Sequence, residues 1–360
     1  MKPITLLSVV LFIATTALAQ TTRIVNNNAG ATGGVNVYTG ATALQTAINA
    51  SVSGDIIQIV PGTVSNGNVT ITDKSLTLLG VGLNPQKGIG TRSLVGDITL
   101  LGAASSGFRI SGVHFLRFLP GVSGATHTIS NILIENCEFG CIQQLNNGNG
   151  IGNVIVRNCV MNSHQGFSSG PQAFEIFLSS GVLITNNIIR GQANNAGTVL
   201  GDGLTIQNNL FYGAGSQYIF TNLDNSVVDN NIFIKVSGAV GQNATNTGNT
   251  FRNNIVFGST DNTFTNGVNG NSSTGHIIAD PLLTNVQSTI TDWIYTNDIT
   301  LLPGSPAINA GLDGTNLGPT GGTTPFDTEG TLLPLIQSIN MPAVVTKGTN
   351  LQVNVKAKGN

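Results

Sequence analysis

The sequence predicts an all-β solenoid of short strands stacked in successive coils. Two observations predict it. An eight-residue phrase returns at 132–139 (ILIENCEF), 154–161 (VIVRNCVM), 182–189 (VLITNNII), 204–211 (LTIQNNLF), 226–233 (SVVDNNIF) and 249–256 (NTFRNNIV). Its fifth position is Asn136, Asn158, Asn186, Asn208, Asn230 and Asn253, in steps of 22, 28, 22, 22 and 23 residues. A period in this range marks a repeat architecture. The second observation is that no helical pattern separates the strands, which argues against alternating strand–helix units.

The elements follow in order. Residues 1–19 read as a signal peptide, with Lys2 before an apolar run at 4–14 and an Ala17-Leu18-Ala19 cleavage site before Gln20. That run is shorter than the roughly 20 residues a membrane span needs, and no later segment approaches that length. The expected mature protein is exported: secreted, cell-surface or periplasmic. Residues 20–40 are polar and rich in Gly and Asn, and read as a loose leader. Residues 41–51 place Leu44, Ala47 and Ile48 at helical spacing, predicting a short helix that, through residue 54, caps the first coil. Strands follow at 55–60, 68–72, 75–79, 98–101 and 108–115, the last carrying Gly112 where the phrase has Asn. Coils are expected over 55–290 and a closing segment over 291–360.

Within the first four phrases, positions one and three are apolar and point inward with period two. Position eight is also apolar and inward: Phe139, Met161, Ile189, Phe211, Phe233 and Val256. The fifth-position Asn falls where the chain must turn, and Asn tolerates left-handed backbone. Stacked about 4.8 Å apart, these side chains are expected to hydrogen bond coil to coil as a structural ladder.

Composition agrees with a turn-rich, buried-strand protein. Only 8% of the 360 residues are charged, against about a quarter in ordinary domains, while 40% are hydrophobic and 46 are Gly. Disorder goes with high charge and low hydrophobicity. The net charge of −2 provides no basic footprint for nucleic acid. The three cysteines, Cys137, Cys141 and Cys159, are too few and odd in number for a disulfide framework, and none has metal-ligand spacing.

The period, the Asn corner, the opening LQTAINASVSGDIIQIVPGTV, the phrase SLTLLGVG at 75–82 and LLPGSPAINAG at 301–311 together resemble right-handed parallel β-helix proteins of the pectate-lyase-like fold. That resemblance implies a single-stranded solenoid with three short strands per coil, a capping helix, and a monomer. The tail at 333–360 looks like the ending of such secreted proteins from Bacteroidetes.

The fold hosts many functions, so the chemistry must come from residues. A uronate lyase needs Ca²⁺ on clustered carboxylates or an Arg/Lys cluster, plus a Lys or Arg base. A hydrolase needs paired carboxylates. The Asn-Thr-Asp, Asp-Asp, Gly-His-Gly and Arg-Ile-Lys motifs of polygalacturonases are absent, and 163–166 (SHQG) is a faint echo of the third. The turn at 313–316 (DGTN) lacks the spaced acidic ligands of a Ca²⁺ loop; no cofactor is expected.

Position four reads Glu135, Arg157, Thr185, Gln207, Asp229 and Arg252. It is either a pair of exposed cross-strand ion pairs or a polar strip facing a sugar. The 28-residue step extrudes a loop, the place where function concentrates on a solenoid. Its His164, with Glu175 and Arg190 beyond it, forms the candidate catalytic set. Gln165, Phe167, Arg157, Lys87 and Arg92 are the candidate substrate-binding residues. The expected function is a glycan-binding or structural module outside the cell, with a polysaccharide or cell-surface glycan as partner. The alternative is a polysaccharide lyase acting on a uronate-containing glycan through an Arg or Lys base.

Overall fold

Each Asn corner turns the chain between two long parallel sheets. The computed structural model describes residues 20–84, 91–121, 128–144, 150–162, 173–177, 179–190, 199–213, 219–234, 239–241, 244–259, 261–286, 293–327, 335–340 and 354–358. The first sheet stacks Thr22–Asn26, Ile56–Ile59, Thr77–Leu79, Arg109–Ser111, Ile129–Glu135, Ile151–Arg157, Val182–Thr185, Leu204–Gln207, Val227–Asp229, Thr250–Arg252 and Ser272–Thr274. The second runs through His114–Pro120, Glu138–Gln143, Val160–Met161, Ile188–Arg190, Leu210–Tyr212, Ile232–Ile234, Ile255–Phe257 and Ile277–Ile278.

From the far end of Glu138–Gln143 a third row branches, through Phe174–Ile176, Val199–Asp202 and Phe220–Asp224. Coils between Ile151 and Phe264 therefore carry three strands. In the first sheet the register runs coil to coil, with Val156 opposite Ile134 and Ile184. The architecture is an all-β parallel β-helix.

The inward columns build the core. Ile134, Val156, Ile184, Ile206, Val228 and Phe251 are all fully buried. Position eight stacks as expected: Phe115 on Phe139 at 4.8 Å and Phe211 on Phe233 at 4.9 Å between ring centroids. Burying each such side chain contributes roughly 1.5–3 kcal/mol.

The N-terminal region departs from expectation. Residues 22–26 are not a loose leader: Thr22–Asn26 pairs in parallel with Ile56–Ile59, and Val37–Thr39 pairs with it from the other side. Arg23 secures this strand through Asp55 at 2.9 Å and the Ala50 carbonyl at 2.8 Å. The helix spans Ala43–Ala50, shorter than read from the sequence, and buries Ala43, Leu44, Ala47 and Ile48. Lys74 Nζ donates to the Ile48 and Asn49 carbonyls at its C-terminal end, where a cation is favoured.

The ladder runs one residue later than predicted. Asn136, Asn158, Asn186, Asn208, Asn230 and Asn253 hold φ between 48° and 57°, the left-handed corner conformation, and Gly112 at φ 70° takes the same place. This turns their side chains away from the coil interior. The buried relay belongs to position six. Asn187 donates through its backbone N–H and Nδ2 to Asn209 Oδ1 (2.9 and 3.0 Å), Asn209 does the same to Asn231, and Asn231 to Asn254. Cys159 N–H enters the relay at Asn187 Oδ1, and His276 Nδ1 ends it by accepting from Asn254 N–H at 3.3 Å. A second relay, Ser226–Asn249–Asn271, occupies the corner before the first sheet.

The closing segment also differs. Residues 293–327 do not simply cover the last coil; they run back along the outside of the second sheet. They bury Trp293, Ile299, Ala307, Leu317 and Phe326 against the outward Val160, Ile188, Leu210, Ile232 and Ile255. The corner Asn side chains hold this strap by its backbone. Asn253 Nδ2 donates to Ala310 O (3.0 Å), Asn230 Oδ1 accepts from Leu312 N–H (3.0 Å), and Asn186 Nδ2 donates to Pro319 O (2.9 Å) and Gly321 O (2.7 Å). Beyond the strap, Leu335–Asn340 and Asn354–Lys358 pair antiparallel with each other.

Candidate functional site

Among the described residues, polar chemistry gathers in a buried cluster where the strap meets the second sheet and along the outer face of the first sheet. The cluster centres on Glu138, at the seventh position of its phrase, in register with His114. Its Oε2 receives the Tyr295 hydroxyl at 2.6 Å and lies 3.0 Å from Arg92 Nη2 and 3.4 Å from His114 Nδ1. Its Oε1 accepts from Asn162 Nδ2 at 3.0 Å. Asn162 Oδ1 in turn accepts from Tyr212 OH (3.2 Å) and Trp293 N–H (3.1 Å). Arg92 also lies 5.6 Å from the centre of the Tyr295 ring.

Electrostatics fix the protonation pattern. Burial alone would raise the Glu138 pKa, but His114, Arg92 and the Tyr295 hydroxyl outweigh it and hold the carboxyl below its ordinary value. Burial and the neighbouring carboxylate push the Tyr295 phenol well up, so it remains a donor. Glu138 is only 3% exposed. The pocket beside it, lined by His114, Phe115, Leu116, Glu138, Phe139, Gly140 and Asn162, has room for about one water molecule. A sugar ring does not fit while the strap is docked.

Two members of the candidate catalytic set, Glu175 and Arg190, lie among the described residues. Glu175 lies in the third row and accepts from Gln143 Nε2 at 3.0 Å. Arg190 lies in the second sheet, opposite Tyr212, and is 5% exposed. His164, Gln165, Phe167 and Lys87 lie outside the described residues. Of the substrate-binding candidates, Arg92 joins the Glu138 cluster and Arg157 pairs with Glu135. Among the described residues, no three His, Cys, Asp or Glu side chains gather where they could hold a metal ion.

Position four lies on the outer face of the first sheet, with Glu135, Arg157, Gln207 and Arg252 partly exposed but Thr185 and Asp229 buried. Arg157 Nε and Nη2 donate to Glu135 Oε2 at 2.9 and 2.6 Å, and Arg252 Nε donates to Asp229 Oδ1 at 3.0 Å. Thr185 and Gln207 lie between the pairs in the same column. The next outward column is Leu133, Ile155, Leu183, Thr205 and Val227. The result is a flat strip, one side chain per coil, with an aliphatic row beside a polar one. Ile155 is 36% exposed.

No family model matches the chain, and no curated protein matches it. Similar solved structures include the crystal structure of the pectate lyase Pel9A, with a TM-score of 0.49 and 13% identity over 83% of this chain and 96% of that one. Another is Geobacillus virus E2 ORF18, with a TM-score of 0.24 and 14% identity over 65% of this chain and 56% of that one. No helix among the described residues is long and apolar enough to cross a membrane.

The Glu138 cluster was missed at the level of sequence, yet a signal existed. Position seven alternates with inward position eight and so points outward, but it reads Val160, Ile188, Leu210, Ile232 and Ile255. An outward apolar column implies a cover, and Glu138 and His114 are its polar exceptions.

Proposed function

We propose that this protein is an exported glycan-binding module whose ligand lies on the outer strip of the first sheet. The observation that supports this reading is the contrast between the two sheets. The second is covered by residues 293–327, whereas Glu135, Arg157, Leu183, Thr205 and Gln207 remain partly exposed on the first. An aliphatic row suits the apolar face of a sugar ring, and the adjacent carboxylate, guanidinium and amide groups suit its hydroxyls. Export rests on the residue 1–19 segment, and the working unit is a monomer.

The test is a glycan array probed with residues 20–360. Binding to a defined set of polysaccharides supports the reading; silence across neutral and acidic glycans contradicts it.

The second reading is a polysaccharide lyase. It draws on Arg92, His114 and Glu138, a base-and-acid grouping of the kind β-elimination uses, and requires residues 293–301 to lift. Its assay is absorbance of unsaturated product across uronate polysaccharides. Clear turnover would replace the binding reading.

A further inference from the structure

Position six holds Asn187, Asn209, Asn231 and Asn254 in four coils and a cysteine in the two coils before them. Cys137 and Cys159 face each other across adjacent coils, because Glu135 is in register with Arg157 and Glu138 with Val160 on either side. Adjacent strands lie about 4.8 Å apart, inside the roughly 4.4–6.8 Å Cα range of disulfides. Both side chains are fully buried, and burial together with the neighbouring Cys137 pushes the Cys159 thiol pKa well up. In the structure both are thiols. Each thiol leans on a carbonyl, Cys137 on Glu135 O at 3.2 Å and Cys159 on Arg157 O at 3.1 Å.

Cys141 provides an internal contrast. Its partner in register is Arg117. It sits four residues along an extended run from Cys137, about 13 Å at strand rise, beyond the reach of a disulfide.

We propose that Cys137 and Cys159 are a cross-coil disulfide pair, closed when the chain folds in an oxidising medium. One S–S bond forms and two S–H bonds break. The S–S bond of glutathione disulfide, the oxidant of the test, breaks, and the oxidant takes up the two electrons and the two protons to leave two glutathione thiols. Full burial means the bond must form during folding, before the coils close over the thiols. The bond would weld the coils just where the Asn relay stops.

The experiment refolds residues 20–360 from the reduced, denatured state in a buffer of oxidised and reduced glutathione. The product is then denatured, alkylated and weighed, and its peptides are mapped. The expected result is one alkylated thiol, at Cys141, and a peptide joining Cys137 to Cys159. The Cys141→Ser variant should retain the joined peptide and show no alkylation. Three alkylated thiols in the refolded wild type, or any bond that includes Cys141, would overturn the proposal.

Discussion

Tyr295 donates its hydroxyl to Glu138 across 2.6 Å, tying the C-terminal strap to a coil 157 residues earlier in the chain. The bond is buried, and Glu138 meets Arg92, His114 and Asn162 through its other contacts. Removing one donor from a buried carboxylate costs about 1–3 kcal/mol. Tyr295→Phe should therefore lower unfolding stability by about that amount, read from urea denaturation at neutral pH. No change would mean that the strap is not held at this point.

The same carboxylate sets an acid limit. Its folded pKa is depressed, so its contribution is present above the unfolded Glu value, about 4.3. It is lost as pH falls from there through the lower folded value. Thermal midpoints measured downward from pH 5 should drop in wild type, and Glu138→Gln should flatten that arm.

His276 governs a separate window. It ends the Asn relay, stacks on Phe264 at 3.9 Å, and burial pushes its pKa down to about 4. The unfolded chain then binds more protons between about pH 6.5 and 4, so stability falls as pH is lowered across that range. His276→Asn would extend the relay with its usual residue. Its melting temperature should vary less than wild type between pH 6.5 and 4.5.

The two Asn columns should answer mutation differently. Asn209→Ala leaves the Asn187 N–H without its acceptor and takes one donor each from the Ile184 carbonyl and Asn231 Oδ1. Asn187 Nδ2 keeps Val156 O, the Gln207 carbonyl keeps the Asn186 N–H, and Asn231 Oδ1 keeps the backbone N–H of position 209. At about 1–3 kcal/mol for a buried group left unpaired, with the other lost bonds added, the loss should exceed about 2 kcal/mol. Asn136→Gly keeps a residue that accepts φ 51° and should cost no more than about 1 kcal/mol. Equal losses in denaturant melts would place the ladder in the wrong column.

Periodicity made the fold legible because stacked coils repeat the same inward demand at Val156, Ile184 and Ile206. It located the corner at Asn158 and Asn186 but not the ladder. Which of two adjacent Asn points inward depends on the left-handed φ, which spacing alone does not report. The strand Thr22–Asn26 was illegible because one edge coil offers no repeat to match. The strap was illegible for a related reason: its backbone is held by Asn186, Asn230 and Asn253 rather than by a pattern of its own side chains. The Glu138 site, joining residues 92, 114, 138, 162 and 295, depends on where that strap lies.

Single cysteines introduced on the two sheets and labelled with a maleimide under native, reducing conditions distinguish a covered second sheet from an accessible first one. The three natural cysteines are buried and serve as a silent background, with burial raising the thiol pKa to about 12 at Cys141. Thr205→Cys lies on the outer face of the first sheet, and Ile232→Cys lies beneath the strap. Labelling should be rapid at 205, and 232 should be protected until denaturant is added. Equal labelling at both positions would show that the second sheet is open to ligand and contradict the assignment of binding to the first.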